Sequence, residues 1–400
     1  TMAAGAFRGY GATQGCFAME SAVNELAEKL NMDPAQLRLR NLPHVGERMP
    51  AYYNEPLTSC NLSQCIERGM EMIGWKEKYP CVKVDDHRVR GVGMAVTMQG
   101  SCISNIDTAS ATIRLNDDGF YTLMIGATDM GTGCDTILAQ MAAEVLNCPM
   151  DRITVDGVDT DHSPFDTGSY ASSTTYITGA AVVKACTELN EKITAEGARR
   201  LNIHPERAEF DGDKVYDRTN PETFITLDKL AQGLVVGVGT QWLTATASRC
   251  SPTSPPPFMA GFAEVEVDLE TGETKVVDYV GVVDCGTVVN KNLARVQAEG
   301  GIAQGIGMAL LEDINYDQNG QMVNSTFMTY KIPCRTDLPE IRVDFEASYE
   351  PNGPFGAKSI GEVVINTPSP AIAQAVYNAT GVRVRDLPIT AEKILMGLDG

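Results

Sequence analysis

The chain has 400 residues, 43% of them hydrophobic, and a formal net charge of −20 at pH 7. That length and composition fill a large core in two subdomains, and the negative charge excludes charge-driven binding to nucleic acid or an anionic membrane. Eleven cysteines without a C-x-x-C spacing, and the isolated His44, His87, His162 and His204, argue against a protein-ligated zinc or iron–sulfur centre and read as reduced thiols of a cytosolic protein.

Residues 16–30 predict the first helix, because Phe17, Val23, Leu26, Ala27 and Leu30 fall on one face. Asp33 and Pro34 then read as the cap and first position of a second, short helix. Residues 43–63 read as irregular and residues 62–73 as a helix. From Val89 the pattern turns to strands. Residues 111–115 alternate, residues 116–119 turn, and residues 120–125 return as the second strand of a hairpin. A glycine loop at Gly131 and Gly133 leads into a helix at residues 136–146, and another helix is expected at residues 178–189. Residues 251–258 carry Pro252, Pro255, Pro256 and Pro257, which cannot join a helix or a central strand; they read as the crossing between subdomains.

The strand–turn–strand–loop–helix pattern recurs beyond that crossing. Residues 263–267 alternate, residues 270–272 turn, residues 275–283 return, a loop at Gly286 follows, and residues 292–311 predict a helix. A helix from Pro370, a strand at residues 382–384 and a helix from Thr390 close the chain. The repetition implies an internal duplication. The expected fold class is α+β: two similar α/β subdomains with mixed sheets flanked by helices, at residues 86–250 and 251–400, behind a loop and helical segment at residues 1–85.

Four segments carry chemistry. Residues 6–14 put Phe7, Arg8 and Tyr10 on a turn with Gly9 and Gly11. Residues 126–133 end in Met130, Gly131, Thr132 and Gly133. Residues 166–175 hold Ala171, Ser172 and Thr174 just before a helix. Residues 356–362 place Glu362 on a glycine-punctuated turn ahead of a helix that opens on prolines. Glycines let the backbone approach a bound group, hydroxyls and helix-start N–H groups suit a phosphate, and a carboxylate can act as a general base. Taken singly, each is an ordinary surface turn or helix cap. A lone glutamine in a helix, such as Gln297, is normally a surface residue.

Taken together and in this order, the four segments resemble the molybdenum-cofactor portion of the xanthine dehydrogenase / aldehyde oxidase family, over residues 6–394. The likeness is closest to bacterial xanthine dehydrogenase molybdenum-binding subunits. It implies a molybdopterin-binding fold. Phe7, Arg8, Met130, Gly131, Thr132, Gly133, Ala171, Ser172, Thr174 and Gln297 would contact the pterin, which holds the molybdenum by its dithiolene rather than by a side chain. Tyr10 would stack on the substrate, and Glu362 would be the catalytic base. The loops of Arg8, Gly131, Ser172 and Glu362 are expected to border one cleft. The sequence departs from the family pattern at Tyr10 (Phe in animal enzymes), Thr13 (usually Pro) and Thr132 (usually Gln). The loop at Arg8 lacks the cysteine that binds copper in aerobic carbon monoxide dehydrogenases.

The implied reaction is hydroxylation of a purine such as xanthine with water-derived oxygen. Nicotinate or another N-heterocycle, and an aldehyde, are the alternatives, because no aromatic stands near Ser101 and Cys102. The implied cofactor is molybdopterin, in its simple or cytosine dinucleotide form. [2Fe-2S] clusters and FAD would sit on partner chains or domains, and the other half of the molybdenum subunit would be a further partner. The likeness also implies that this chain is a fragment or one half of a split subunit, expected to be folded but cofactor-free and inert when isolated.

Overall fold

The computed structural model describes residues 5–236 and 241–399. In chain order the elements are helices α1 (Ala12–Lys29) and α2 (Pro34–Leu39), strands β1 (Arg48–Met49) and β2 (Glu55–Pro56), helices α3 (Leu62–Ile73) and α4 (Trp75–Lys78), and strands β3 (Cys81–Lys83), β4 (Arg88–Met98), β5 (Thr108–Leu115) and β6 (Tyr121–Ile125). Then come α5 (Cys134–Leu146), β7 (Ile153–Gly157), α6 (Gly179–Leu201), β8 (Ala208–Phe210), β9 (Lys214–Asp217), β10 (Asn220–Thr226), α7 (Leu227–Val235) and β11 (Thr244–Cys250). The chain ends with β12 (Phe258–Asp268), β13 (Thr274–Asp284), α8 (Lys291–Leu310), β14 (Ile341–Phe345), α9 (Pro368–Thr380) and α10 (Ala391–Leu398).

These elements form two compact units. The first comprises Thr1–Gly100, Pro255–Pro351 and Ile360–Gly400, and the second comprises Ser101–Ser254 and Asn352–Ser359. Among the described residues, the first unit is built on a sheet of order β14-β13-β12-β4-β3. Both faces are covered, so the strands bury side chains of both parities. Phe258, Ala260, Phe262, Val280 and Val282 pack with Ile66 and Ile73 of α3. Met259, Val265, Tyr279 and Val283 face Ile302 of α8 and Ile372 and Val376 of α9. Gly93 of β4 is dictated by this packing, because a Cβ there would lie 2.3 Å from the Ala371 carbonyl oxygen of α9.

The second unit holds a sheet of order β11-β5-β6-β7. Tyr121, Leu123 and Ile125 alternate inward on β6, and Ala111, Ile113 and Leu115 do so on β5. The opposite face carries hydroxyl pairs across β5 and β11, Ser110 with Ser248 and Thr112 with Thr246, each at 2.8 Å. One dry face and one hydroxyl face fit a sheet whose β11-β5-β6 part is antiparallel and covered on one side.

The two main sheets share a topology. In each, an antiparallel hairpin is followed by a helix and by a strand that returns parallel to the hairpin's second strand: β5-β6-α5-β7 and β12-β13-α8-β14. The expected α+β class with two similar mixed-sheet subdomains is the observed one. Asp33 caps α2 as expected, accepting from the Ala35 and Gln36 amides. Three local readings need correction. Residues 43–63 contain the short hairpin β1–β2. The helix expected to end at Leu189 runs on to Leu201, because Ile193 and Ala198 stay buried and Glu196 pairs with Arg199 and Arg200. Residues 382–384 are not a strand; instead Arg383 pairs with Glu28 and Glu25 of α1, and Val384 is buried. No described helix is long and apolar enough to cross a membrane.

Candidate active site

In the first unit the glycine loop ahead of α1 meets the turn ahead of α9. Gly9, Tyr10 and Gly11 have φ of 91°, 43° and 89°. Only glycine fits at position 9, because a Cβ would sit 2.9 Å from Asn366 Oδ1 and 3.0 Å from Thr13 Cγ2. This tight path lets the Gly9 amide donate to Glu362 Oε1 at 3.3 Å. Glu362 is half-buried at the start of a 3-10 turn, Val363–Ile365, that leads into α9.

Arg8 ties this turn to α8. Its Nε donates to the Gly361 carbonyl. Nη2 donates to Gln297 Oε1 at 3.0 Å and to the Gln297 carbonyl at 3.2 Å, and Nη1 donates to Gln304 Oε1 at 3.3 Å. Burial pulls the Arg8 pKa below its ordinary value, and the Glu362 charge acts against that. The planar guanidinium suits this role, since its fork of donors reaches a turn and a helix together. Gln297 therefore stands beside Arg8, on the helix face that also carries Gln304 two turns on. Tyr10 is 74% exposed and Phe7 48%.

In the second unit the loop between β6 and α5 is organised by Asp129. Its Oδ1 accepts from the Gly131 and Gly133 amides at 2.9 and 3.0 Å. Partial desolvation pushes the Asp129 carboxyl up, but the backbone N–H groups of Gly133, Gly131, Asp135 and Thr132 together hold it below its usual range. The Thr132 hydroxyl lies 3.5 Å from the same oxygen, and Met130 is 63% exposed. A Cβ on Gly131 would meet nothing within 4 Å, so the backbone there is open to close approach. Replacing Asp129 by Ala should loosen the entry to α5, whose N-cap Gly133 has no side-chain cap. The expected cost is about 1 kcal/mol in chemical denaturation, the scale of a lost cap; an unchanged midpoint would show that the loop holds itself.

The hydroxyl-rich segment joins this loop. Ser169 Oγ accepts from the Thr128 amide at 2.9 Å and donates to the Thr128 carbonyl at 3.3 Å. Ala171 and Ser172 have φ of 51° and 58°, a left-handed pair that non-glycine residues adopt at a cost. Thr174 opens a π-helical turn, Thr174–Thr178, ahead of α6. Ser359 Oγ donates to the Ser172 and Ser101 carbonyls.

Arg8, Tyr10, Gln297 and Glu362 are thus residues of the first unit, and the loops of Gly131 and Ser172 belong to the second. Sequence reading missed Gln99, Gln304 and Asn366, which hold the loop and turn. Gln304 had a signal, seven residues after Gln297 on one helix; the other two had none. The donor set fits an anionic, acceptor-rich group such as molybdopterin. The amides of Gly131 and Gly133 already converge on one carboxylate oxygen, which stands in for a ligand oxygen.

The molybdopterin cofactor-binding domain family matches residues 68–339, and a second family of the same description matches residues 1–42. The protein of Escherichia coli (strain K12) named "Probable hypoxanthine oxidase XdhD" is 37% identical over 409 residues, which cover 99% of this chain and 42% of that protein. The xanthine dehydrogenase molybdenum-binding subunit of Escherichia coli O157:H7 is 34% identical, over 98% of this chain and 53% of its own length. The crystal structure of quinoline 2-oxidoreductase from Pseudomonas putida 86 superposes with a TM-score of 0.88 at 27% identity, covering 99% of this chain and 53% of that one. The chain spans about half the length of the curated relatives it matches. With a match that takes in residues 68–339 of 400, and relatives that are themselves molybdenum-binding subunits, the chain belongs to the molybdopterin-binding subunits of the xanthine dehydrogenase / aldehyde oxidase family.

Proposed function

We propose that this chain is part of the molybdenum subunit of a hydroxylase acting on a purine such as hypoxanthine or xanthine. The observation that carries the reading is the Glu362 carboxylate, half-buried, held by the Gly9 amide on a turn fixed by Arg8. A carboxylate so placed serves as a general base. The reaction replaces a ring C–H by C–OH with oxygen from water, releasing two electrons and two protons. Molybdopterin, when bound, supplies the two-electron redox centre. Glu362 takes up the proton that leaves the attacking oxygen. Tyr10 offers an exposed ring on which a flat heterocycle stacks. Arg8 and Gln297 hold their loop and helix together. The amides of Gly131 and Gly133, with Met130 and Thr132, and the segment of Ala171, Ser172 and Thr174 hold polar atoms of the pterin, in its simple or cytosine dinucleotide form.

Partners carrying [2Fe-2S] and FAD would supply the path by which the two electrons leave. The named hypoxanthine and xanthine relatives, at 37% and 34% identity, support the purine. The likeness to quinoline 2-oxidoreductase favours an N-heterocycle such as nicotinate as the second reading. The eleven cysteines are free thiols, in keeping with a cytoplasmic setting.

The test is turnover by the enzyme assembled with its partner subunits, using a dye as electron acceptor. Hypoxanthine and xanthine should be oxidised faster than nicotinate, quinoline or benzaldehyde. Turnover of nicotinate or benzaldehyde with both purines inert would overturn the purine reading.

A further inference from the structure

Gly9 is gripped from a side that the base and Arg8 do not account for. Gln99 follows the last residue of β4, and its own amide is anchored on the Pro257 carbonyl at 3.3 Å. Its side-chain Nε2 donates to the Gly9 carbonyl at 3.5 Å, and its Oε1 accepts from Asn366 Nδ2 at 3.2 Å. Asn366 lies in the turn between Glu362 and α9 and is 1% exposed. Its Oδ1 is buried without a hydrogen-bond partner, and it rests against Gly9, 2.9 Å from where a Cβ would be. An orphaned buried amide oxygen costs about 1–3 kcal/mol, so the surrounding contacts must over-determine its position.

We infer that Gln99 and Asn366 are positioning residues for Glu362. They act through Gly9 and rest on the reading of Glu362 as the base. The individual hydrogen bonds are long, 3.2–3.5 Å, and each is weak. The restraint comes from their combination with the absent Cβ. Gly9 is wedged against Asn366, its carbonyl is tied to Gln99, and its N–H can then point only at Glu362 Oε1. The carboxylate is thereby held in one orientation. Sequence spacing hides this arrangement, because Gln99 and Asn366 lie 90 and 357 residues from Gly9 and meet it only in the folded unit.

Gln99→Leu and Asn366→Leu remove the amides at similar volume. In the assembled enzyme, Gln99→Leu should lower kcat roughly 10-fold, with KM within about two-fold and molybdenum content unchanged. Combined with Glu362→Gln, it should cost no more than about two-fold further, because no base remains to be positioned. In the purified chain, amide hydrogen exchange of the peptide containing Gly9 should quicken roughly 10-fold in either leucine variant. Unchanged exchange together with unchanged kcat would overturn the inference. So would an equal fall in kcat with and without Glu362, which marks a general structural role. Should Glu362→Gln itself keep normal turnover, the base reading fails alone, and the exchange result still decides whether the two amides hold Gly9.

Discussion

Glu362→Gln in the assembled enzyme is expected to retain molybdenum and pterin while losing turnover by roughly 100-fold or more. The amide has nearly the shape of the carboxylate, and its Oε1 still accepts from the Gly9 N–H that contacts Glu362 at 3.3 Å in the native chain. Arg8 keeps its bonds to Gly361, Gln297 and Gln304, since none of them involves the Glu362 side chain. The geometry therefore survives and only the proton acceptor goes. Thermal unfolding should match the parent within a few degrees. Near-normal rates with xanthine, hypoxanthine and nicotinate would remove Glu362 from the mechanism.

Gly93→Val should be the most damaging single change in the first unit. A Cβ at this position meets the Ala371 carbonyl oxygen at 2.3 Å and the Ala375 nitrogen at 2.5 Å. Both are backbone atoms of α9, so no side-chain rotation relieves the clash and the helix must lift from β4. Overpacking of this kind costs about 3 kcal/mol or more. The effect reaches the site, because α9 begins at Pro368, directly after the turn that carries Glu362 and Asn366. Loss of stability and loss of turnover should appear together. Gly300→Ala in α8 is the control, since its Cβ meets nothing within 4 Å, and it should stabilise by about 0.5–1 kcal/mol through helix propensity. Equal denaturation midpoints for the two variants would show that close helix–sheet packing does not govern this unit.

The local signals were legible wherever one stretch of chain settles its own conformation. Asp33 and Pro34 announced the start of α2, residues 111–125 announced the hairpin β5–β6, and the repeat of that pattern after Pro257 announced the second mixed sheet. The strands β7 and β14 were not legible. Each is short and pairs in parallel with a strand reached through a helix, so its register is set by tertiary packing. Val382 and Val384 alternate like a strand, but the flanking Arg383 and Arg385 find carboxylates on α1, and that pairing replaces an edge.

The candidate site divides in the same way. Its glycines, the glutamate and the hydroxyl run were visible because backbone freedom and chemical type are written residue by residue. By itself the sequence therefore determined which loops make up the candidate site, the family the chain belongs to, and the α+β class of the fold. What Arg8 touches was decided only by the tertiary structure, since its partners Gln297 and Gly361 are 289 and 353 residues away. The same holds for Gln99 and Asn366, polar residues of ordinary type whose roles come from being folded against Gly9. The physical reason is that conformational preference is local, whereas hydrogen bonds and steric exclusion depend on distance in space, which no spacing along the chain encodes.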